Sequence, residues 1–352
     1  MIKLINDWYT RHFSDPQVAI LAFLLLLGFG VVYFAGNLLT PLFAAVIIAY
    51  LLDGAVLLLR RFKIPQFIAM ISTFSLFMLC LLIVLFILAP LMFKQTTQFM
   101  LEIPRMLGEG QGVIMMLPEK YPNIISQEFI AEILTSIKSN LTASSQKFVS
   151  LSLASAVDIF SFLVYLVVVP LLVFFFLKDK YLILDWFRSF LPRDRALVAT
   201  VWVEVNDKIT GYVRGKFMEI LIIWGISYIT FLIFGLNYAL LLSFAVGISV
   251  LIPYVGAVAV TAPVAIVAYF QWGYSYEAAY VLIAYSVIQF LDGNLLVPLL
   301  FSEMVNLHPA AIIMSVLIFG GLWGVWGVFF AIPLATLVHS VMNSWPRRVH
   351  DD

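Results

Sequence analysis

The chain has 352 residues, 63% of them hydrophobic and 11% charged, with a formal net charge of zero and a mean hydropathy of +1.05. Soluble domains carry about 25% charged residues, so a soluble enzyme or a nucleic-acid-binding protein is excluded and a polytopic membrane protein is implied. One cysteine, Cys80, excludes a disulfide framework and a cysteine-based metal centre.

The opening residues, MIKLINDWYTRHFSDPQ, are polar and lack a small-residue cleavage site, so the first apolar run, Val18 to Gly36, is read as the insertion signal itself. A second run, Leu38 to Leu59, is closed by Arg60, Arg61 and Lys63, and a third extends from Ile64 to Phe93. Residues 94–150 are polar, with turn signals at Pro104, Gly108, Gly110, Gly112, Pro118 and Pro122. Ile130, Ile133, Leu134, Ile137 and Leu141 follow there at the spacing of an amphipathic helix. A fourth run covers 151–177, a charged segment 178–216, and a fifth run begins at Phe217 and ends near Phe234. Beyond it the apolar pieces are interrupted by PYVGA (253–257), QWGYSYE (271–277), FLDGNLLVPLLFSEMVNLHP (290–309) and GGLWGVWG (320–327). These pieces, roughly 13 to 17 residues each, are shorter than the ~20 residues of a full span and suit half-helices or re-entrant hairpins as well as tilted crossings.

The expected fold is an all-α polytopic integral membrane protein of about eight transmembrane helices, with re-entrant or broken helical hairpins in the C-terminal half. The chain divides into 1–93 (tail and first three spans), 94–150 (extramembrane amphipathic segment), 151–177 (fourth span), 178–216 (charged segment), 217–346 (broken-helix transport region) and 347–352 (tail). Segment 94–150 balances five basic residues against five acids, whereas 178–216 has eight basic residues and five acids. Excess Lys and Arg near span ends stays on the cytoplasmic side. This places both termini, the Arg60–Lys63 turn and 178–216 in the cytoplasm, and 94–150 in the periplasm.

From Phe217 to Pro346, 130 residues, there is no Lys or Arg, and the acids are Glu219, Glu277, Asp292 and Glu303. A carboxylate at membrane depth costs about 2.5–3.5 kcal/mol on insertion scales, so each needs water, a proton, a bound cation, or a basic partner from the first half. Glu277 reads as an interfacial residue in an aromatic belt, Glu219 as a helix-end residue near the cytoplasmic surface, and Glu303 as part of a solvated loop. Asp292, which follows Gln289 at the end of an apolar run and precedes Asn294, reads equally as a loop cap and as a cavity-lining group. Asp53, deep in the second run, and Asp158, early in the fourth, read as helix-packing or functional carboxylates. His308, before Pro309, is either a cap or a group that titrates near neutral pH. In PYVGA a proline that frees a carbonyl joins a glycine that permits a turn, and irregular backbone at membrane depth survives only where protein buries it or a wet cavity takes it. Broken segments of this kind point to a transporter site.

Walker A, HExxH and GxSxG sequences are absent, so the chain is not read as an ATP-driven pump or an enzyme, and neither cofactor nor metal is expected.

FFFLKD (174–179), FLP (190–192), GYVRG (211–215), PYVGA (253–257) and IQFLDGNLLVPLLFSEMVNLHP followed by GGLWGVWGVFFAIPLA (288–309 and 320–335) resemble the autoinducer-2 exporter family, specifically its permease branch in Gram-negative bacteria. The resemblance runs in order along nearly the whole chain. It implies a bacterial inner-membrane transporter of about eight helices with re-entrant elements, embedded in the lipid bilayer and homo-oligomeric, with a pentamer as the family expectation. Members have been linked to export of the furanone autoinducer-2 and, in other branches, to sodium/proton antiport. Ser302, Glu303 and Met304 depart from the small or basic residues common at that turn. The pathway residues carried over by motif are Arg214, Pro253, Tyr254, Gly256, Gln289, Asp292, Asn294 and His308. The hinge or hairpin residues are Gly215, Pro298, Pro309, Gly320, Gly321, Gly324 and Pro333. Three functions stand: an exporter of a small polar molecule of unknown identity, a monovalent cation/proton antiporter using Asp292 with Asp53 or Asp158, and a non-transporting membrane partner or regulator.

Overall fold

The structure, a computed structural model, describes residues 16–36, 38–120, 135, 156–190, 196–253, 255–301 and 307–344. Among them every regular element is a helix, as the hydropathy pattern predicts. Helix α1 (Pro16–Ala35) leads into α2 (Thr40–Arg61), which has Pro41 in its first turn and Arg60 and Arg61 in its last. Both placements suit a helix: the proline lacks only an orphan N–H, and the cations face the negative end of the dipole. Lys63, in the left-handed region (φ 63°), turns the chain into α3 (Gln66–Ile83). That helix continues through a π-helical turn (Val84–Leu88) into α4 (Ala89–Lys120).

Helix α5 (Ala156–Lys178) ends at Asp179, where the axis bends by 81° into α6 (Lys180–Ser189). Helix α7 (Ala196–Ile233) is a single element of 38 residues. The expected border between charged segment and apolar run, at 216/217, therefore lies inside one helix. Helices α8 (Ala239–Ser249) and α9 (Val255–Trp272) follow one another, with a turn described at 250–253. Helix α10 (Tyr276–Leu291) passes through a second π-helical turn (Asp292–Leu296) into α11 (Val297–Phe301), and α12 (Pro309–Ser344) closes the described chain. Ser275 caps α10 by accepting a hydrogen bond from the Ala278 N–H, with Glu277 in the first turn. Seven helices are long and apolar enough to cross a membrane among the described residues, or eight if the bent pair α5–α6 is one span.

Both π turns have the same local cause. Each ends two residues before a proline, Pro90 or Pro298. Proline lacks the N–H that would bind the carbonyl four residues back, on Phe86 or Asn294, and its ring crowds that carbonyl. One wider turn upstream relieves the conflict without breaking the helix.

The C-terminal half holds two hairpins, in keeping with the re-entrant or broken elements expected there. Helix α8, at 11 residues, is only about 16 Å long, half of a ~30 Å hydrocarbon core. The chain turns back after it so tightly that a Cβ on Gly256 would lie 1.7 Å from the Ser249 carbonyl oxygen. In α12 the reversal is at Gly324 (φ 60°, ψ −134°), a conformation open to glycine. Residues 319 and 327 meet across that turn, where a Cβ on Gly327 would lie 1.8 Å from the Phe319 carbonyl oxygen.

Contacts sort the helix ends into two groups. Gln17 accepts from the Leu197 N–H, and Lys180 reaches Asp53, which gathers the starts of α1, α6 and α7 and the last turns of α2 at one end. Gln95 accepts from the Leu241 N–H, Phe99 packs on Tyr238, and Gln271 donates to the Gly235 carbonyl, which gathers α4 and the α7–α8 and α9–α10 junctions at the other. The α8–α9 hairpin thus rises from the second end, and the α12 hairpin from the first. Val246, Val264, Val281 and Phe231 form the core that holds the α8–α9 hairpin against α7 and α10.

Candidate functional site

Two acids of the second half, Glu219 and Asp292, are buried at or near α7. Lys216 and Glu219 lie one turn apart and are 4% and 2% exposed, with Lys216 Nζ 2.7 Å from Glu219 Oε2. Lys216 Nζ also donates to the Val250 carbonyl at 2.8 Å and sits 5.3 Å above the Phe301 ring. Val250 is the first residue after the short arm α8, where a helix leaves carbonyls unsatisfied. The ammonium therefore fills a buried acceptor that the end of the helix leaves open. Asp292, 9% exposed, enters from the π turn, near enough for the Lys216 charge to act on it and for its own charge to act on Glu219. Its Oδ1 is buried with no hydrogen-bond partner among the described residues, as is Gln289 Nε2, one turn earlier on the same helix. The buried ammonium thus pairs with Glu219 and the hairpin tip, and Asp292 stands within reach of its charge.

Backbone shape makes room for this cluster. A Cβ on Gly215 would lie 2.8 Å from the Phe301 ring, so glycine there admits the ring that Lys216 covers. Tyr212 packs on the same ring at 5.8 Å between centroids. Tyr285 donates to the Ala257 carbonyl at 3.1 Å and accepts from Thr261 at 3.2 Å, pinning α10 to α9 beside the hairpin turn.

A second polar cluster lies on the opposite face of α7. Asp53 Oδ2 takes Lys180 Nζ at 3.1 Å and lies 3.5 Å from an Arg214 terminal nitrogen, while Arg214 Nε donates to the Tyr50 carbonyl at 3.2 Å. Tyr50 in turn donates to Asn206 at 2.8 Å. Gly54 leaves space for the guanidinium, since a Cβ there would lie 2.7 Å from Nε.

The candidate residues therefore separate. Asp292, Gln289, Pro253 and Gly256 stand around the α8–α9 tip, whereas Asp53 and Arg214 join α2 to α7. Asn294 does not accompany Asp292: it is exposed, and its amide donates to the Phe290 carbonyl of its own helix. Two positions apart in the π turn, the two side chains take different surroundings. His308 is exposed and accepts from the Ala310 N–H, as a cap to α12 with Pro309 in its first turn. Gly320 and Gly324 build the α12 reversal with Gly321 between them, and Pro333 lies within the returning arm. Pro298 follows the π turn. Tyr254, Ser302, Glu303 and Met304, the amphipathic stretch 130–141 apart from Thr135, and both termini lie outside the described residues, as does the side chain of Asp158.

Glu219 overturns its sequence reading. It is a buried member of an ion cluster in mid-helix, not a helix-end residue at the surface. Lys216 and Glu219 are the site residues that motif reasoning passed over. Their signal was present: an i, i+3 pair of opposite charge at the head of a 130-residue stretch without Lys or Arg.

The family model described as "AI-2E family transporter" matches residues 21–347. The chain is 44% identical over 346 residues to "Putative permease PerM" of Escherichia coli (strain K12), an alignment that covers 98% of each chain. It is 25% identical over 314 residues to "Putative transport protein YueF" of Bacillus subtilis (strain 168), covering 87% of this chain and 84% of the other.

Proposed function

The chain belongs to the AI-2E family of transporters, and on that premise we propose that it is a secondary permease that exports a small polar molecule, with the Lys216–Glu219–Asp292 cluster at the α8–α9 tip as its control point. The observation that carries the reading is the joining of a broken-helix tip to buried charge through the Lys216–Val250 hydrogen bond. Displacing the tip breaks that bond and changes the balance of charge around two carboxylates, which is what a gate must do to respond to a polar solute.

The membrane setting is part of the same proposal: a multi-pass protein of the bacterial inner membrane, with both termini in the cytoplasm, assembled as a homo-oligomer. The grouping of Arg60, Arg61, Lys178, Lys180 and Arg188 toward one end supports that orientation. Single-cysteine labelling of the two helix-end groups from either side of the membrane tests it, and equal labelling from both sides would refute it.

The test of function is transport. Everted vesicles with and without the protein are challenged with a panel of small polar metabolites and their contents read by mass spectrometry. Protein-dependent accumulation that Asp292→Asn abolishes is expected. Identical contents with and without the protein, across the panel, would refute export.

A further inference from the structure

Helix α6 is specific in composition and placement. It is ten residues long, KYLILDWFRS, and follows the end of α5 after an 81° bend at Asp179. A span tilted by about 20° from the membrane normal, followed by such a bend, leaves the next helix near the membrane plane.

The roll of α6 is fixed. Lys180 at its start binds Asp53 of α2 at 3.1 Å, and Ile183 and Leu184 are half-buried. This leaves Leu182, Trp186 and Phe190, at successive four-residue steps, as a ridge on one side, 72%, 57% and 69% exposed. Trp186 packs edge-on against Phe190 at 4.8 Å and Phe187 at 5.0 Å, so the ridge is a preformed surface. Asp185 and Arg188 lie on another side and pair with each other at 2.9 Å.

Depth is set by the same lysine. Asp53 lies seven residues before Arg60, about 10 Å along α2. Helix α6 therefore begins below the level of the Arg60–Arg61 cations, at the membrane boundary and not beyond it. On α5, the span that α6 follows, Leu171 and Phe175 are exposed as well.

We propose that α6 is an in-plane membrane anchor whose Leu182–Trp186–Phe190 ridge is seated at the headgroup–acyl boundary of the phospholipid bilayer. Aromatic residues favour that layer, and a short amphipathic helix with one apolar face lies flat in it. The occupant is lipid and not a second protein, because the Lys180–Asp53 pair starts α6 about 10 Å short of the Arg60–Arg61 cations, at the depth where that layer lies.

The full-length protein, with Cys80→Ala as background, is reconstituted in phospholipid nanodiscs carrying one spin label at a time, through Leu182→Cys, Trp186→Cys, Asp185→Cys or Arg188→Cys. Power saturation with oxygen and with a water-soluble nickel chelate reports depth. The oxygen-to-nickel accessibility ratio is expected to be several-fold higher at 182 and 186 than at 185 and 188. Equal nickel access at all four positions would overturn the proposal by placing the ridge in water. Low access to both reagents at 182 and 186 would overturn it as well, by placing the ridge against protein.

Discussion

Lys216→Met removes the one buried cation that Glu219, Asp292 and the Val250 carbonyl share, and changes little in side-chain volume. Breaking a buried ion pair by deleting one partner costs about 3–5 kcal/mol, because the remaining charge stays desolvated. The Val250 carbonyl adds a buried acceptor left without its bond, worth about 1–3 kcal/mol. The terms overlap, so a loss of about 3–5 kcal/mol is expected, and the carboxylates should carry most of it. Lys216→Met/Glu219→Leu should then recover part of the loss, and adding Asp292→Asn should recover more, since apolar replacement of a whole buried pair is often neutral. Thermal unfolding of the four proteins in one detergent, at matched scan rates, orders their midpoints. The single variant should be lowest, the double intermediate and the triple nearest to wild type. Additive losses in the double and triple variants would refute the cluster, because independent sites add and coupled ones do not.

Gly256→Ala would place a Cβ 1.7 Å from the Ser249 carbonyl and force the hairpin turn open. A loss of at least about 1–3 kcal/mol, the range for overpacking, should appear as a lower midpoint, and an unchanged midpoint would argue against the tight tip. Asp53→Asn removes a carboxylate whose partners, Lys180 and Arg214, have side chains 41% and 34% exposed. Its stability cost should be about 1 kcal/mol or less, well under that of Lys216→Met, and the same thermal series checks this. Asn294→Ala should transport like wild type in everted vesicles while Asp292→Asn does not, since only Asp292 reaches the buried cluster. Gly324→Ala puts a side chain at φ 60°, ψ −134°, and should cost about 1–3 kcal/mol in strain, measurable as a midpoint shift that Gly321→Ala, at an open position, lacks.

The spans were legible because their cause is local: runs of apolar residues of membrane length. The hairpins were legible for a related reason, since Pro253 with Gly256, and Gly324 among its neighbours, are backbone chemistry written in residue type. Partners were not legible. Asp53 meets Lys180, 127 positions away, and Arg214, 161 positions away, and no period in the chain encodes either distance. Glu219 was misread because the apolar run was taken to begin a new helix at Phe217, whereas α7 runs unbroken from Ala196. A residue next to a composition border looks like a surface residue until the helix is seen to pass through that border. Asp292 and Asn294 are two positions apart, yet one is buried and the other exposed, a difference that residue type alone does not encode.

The same two-residue step governs α7. Arg214 and Lys216 sit about 200° apart around the axis, the first held by α2 and the second by the α8–α9 tip. A helix tied on opposite sides by charge is locked against torsion, since any turn about its own axis pulls at least one cation from its acceptor. What remains open to it is rocking, or a short slide along the axis, in which both side chains keep their partners by bending. Both ties stand near mid-length of the 38-residue rod, one on the side of Asp53 and the other at the hairpin tip.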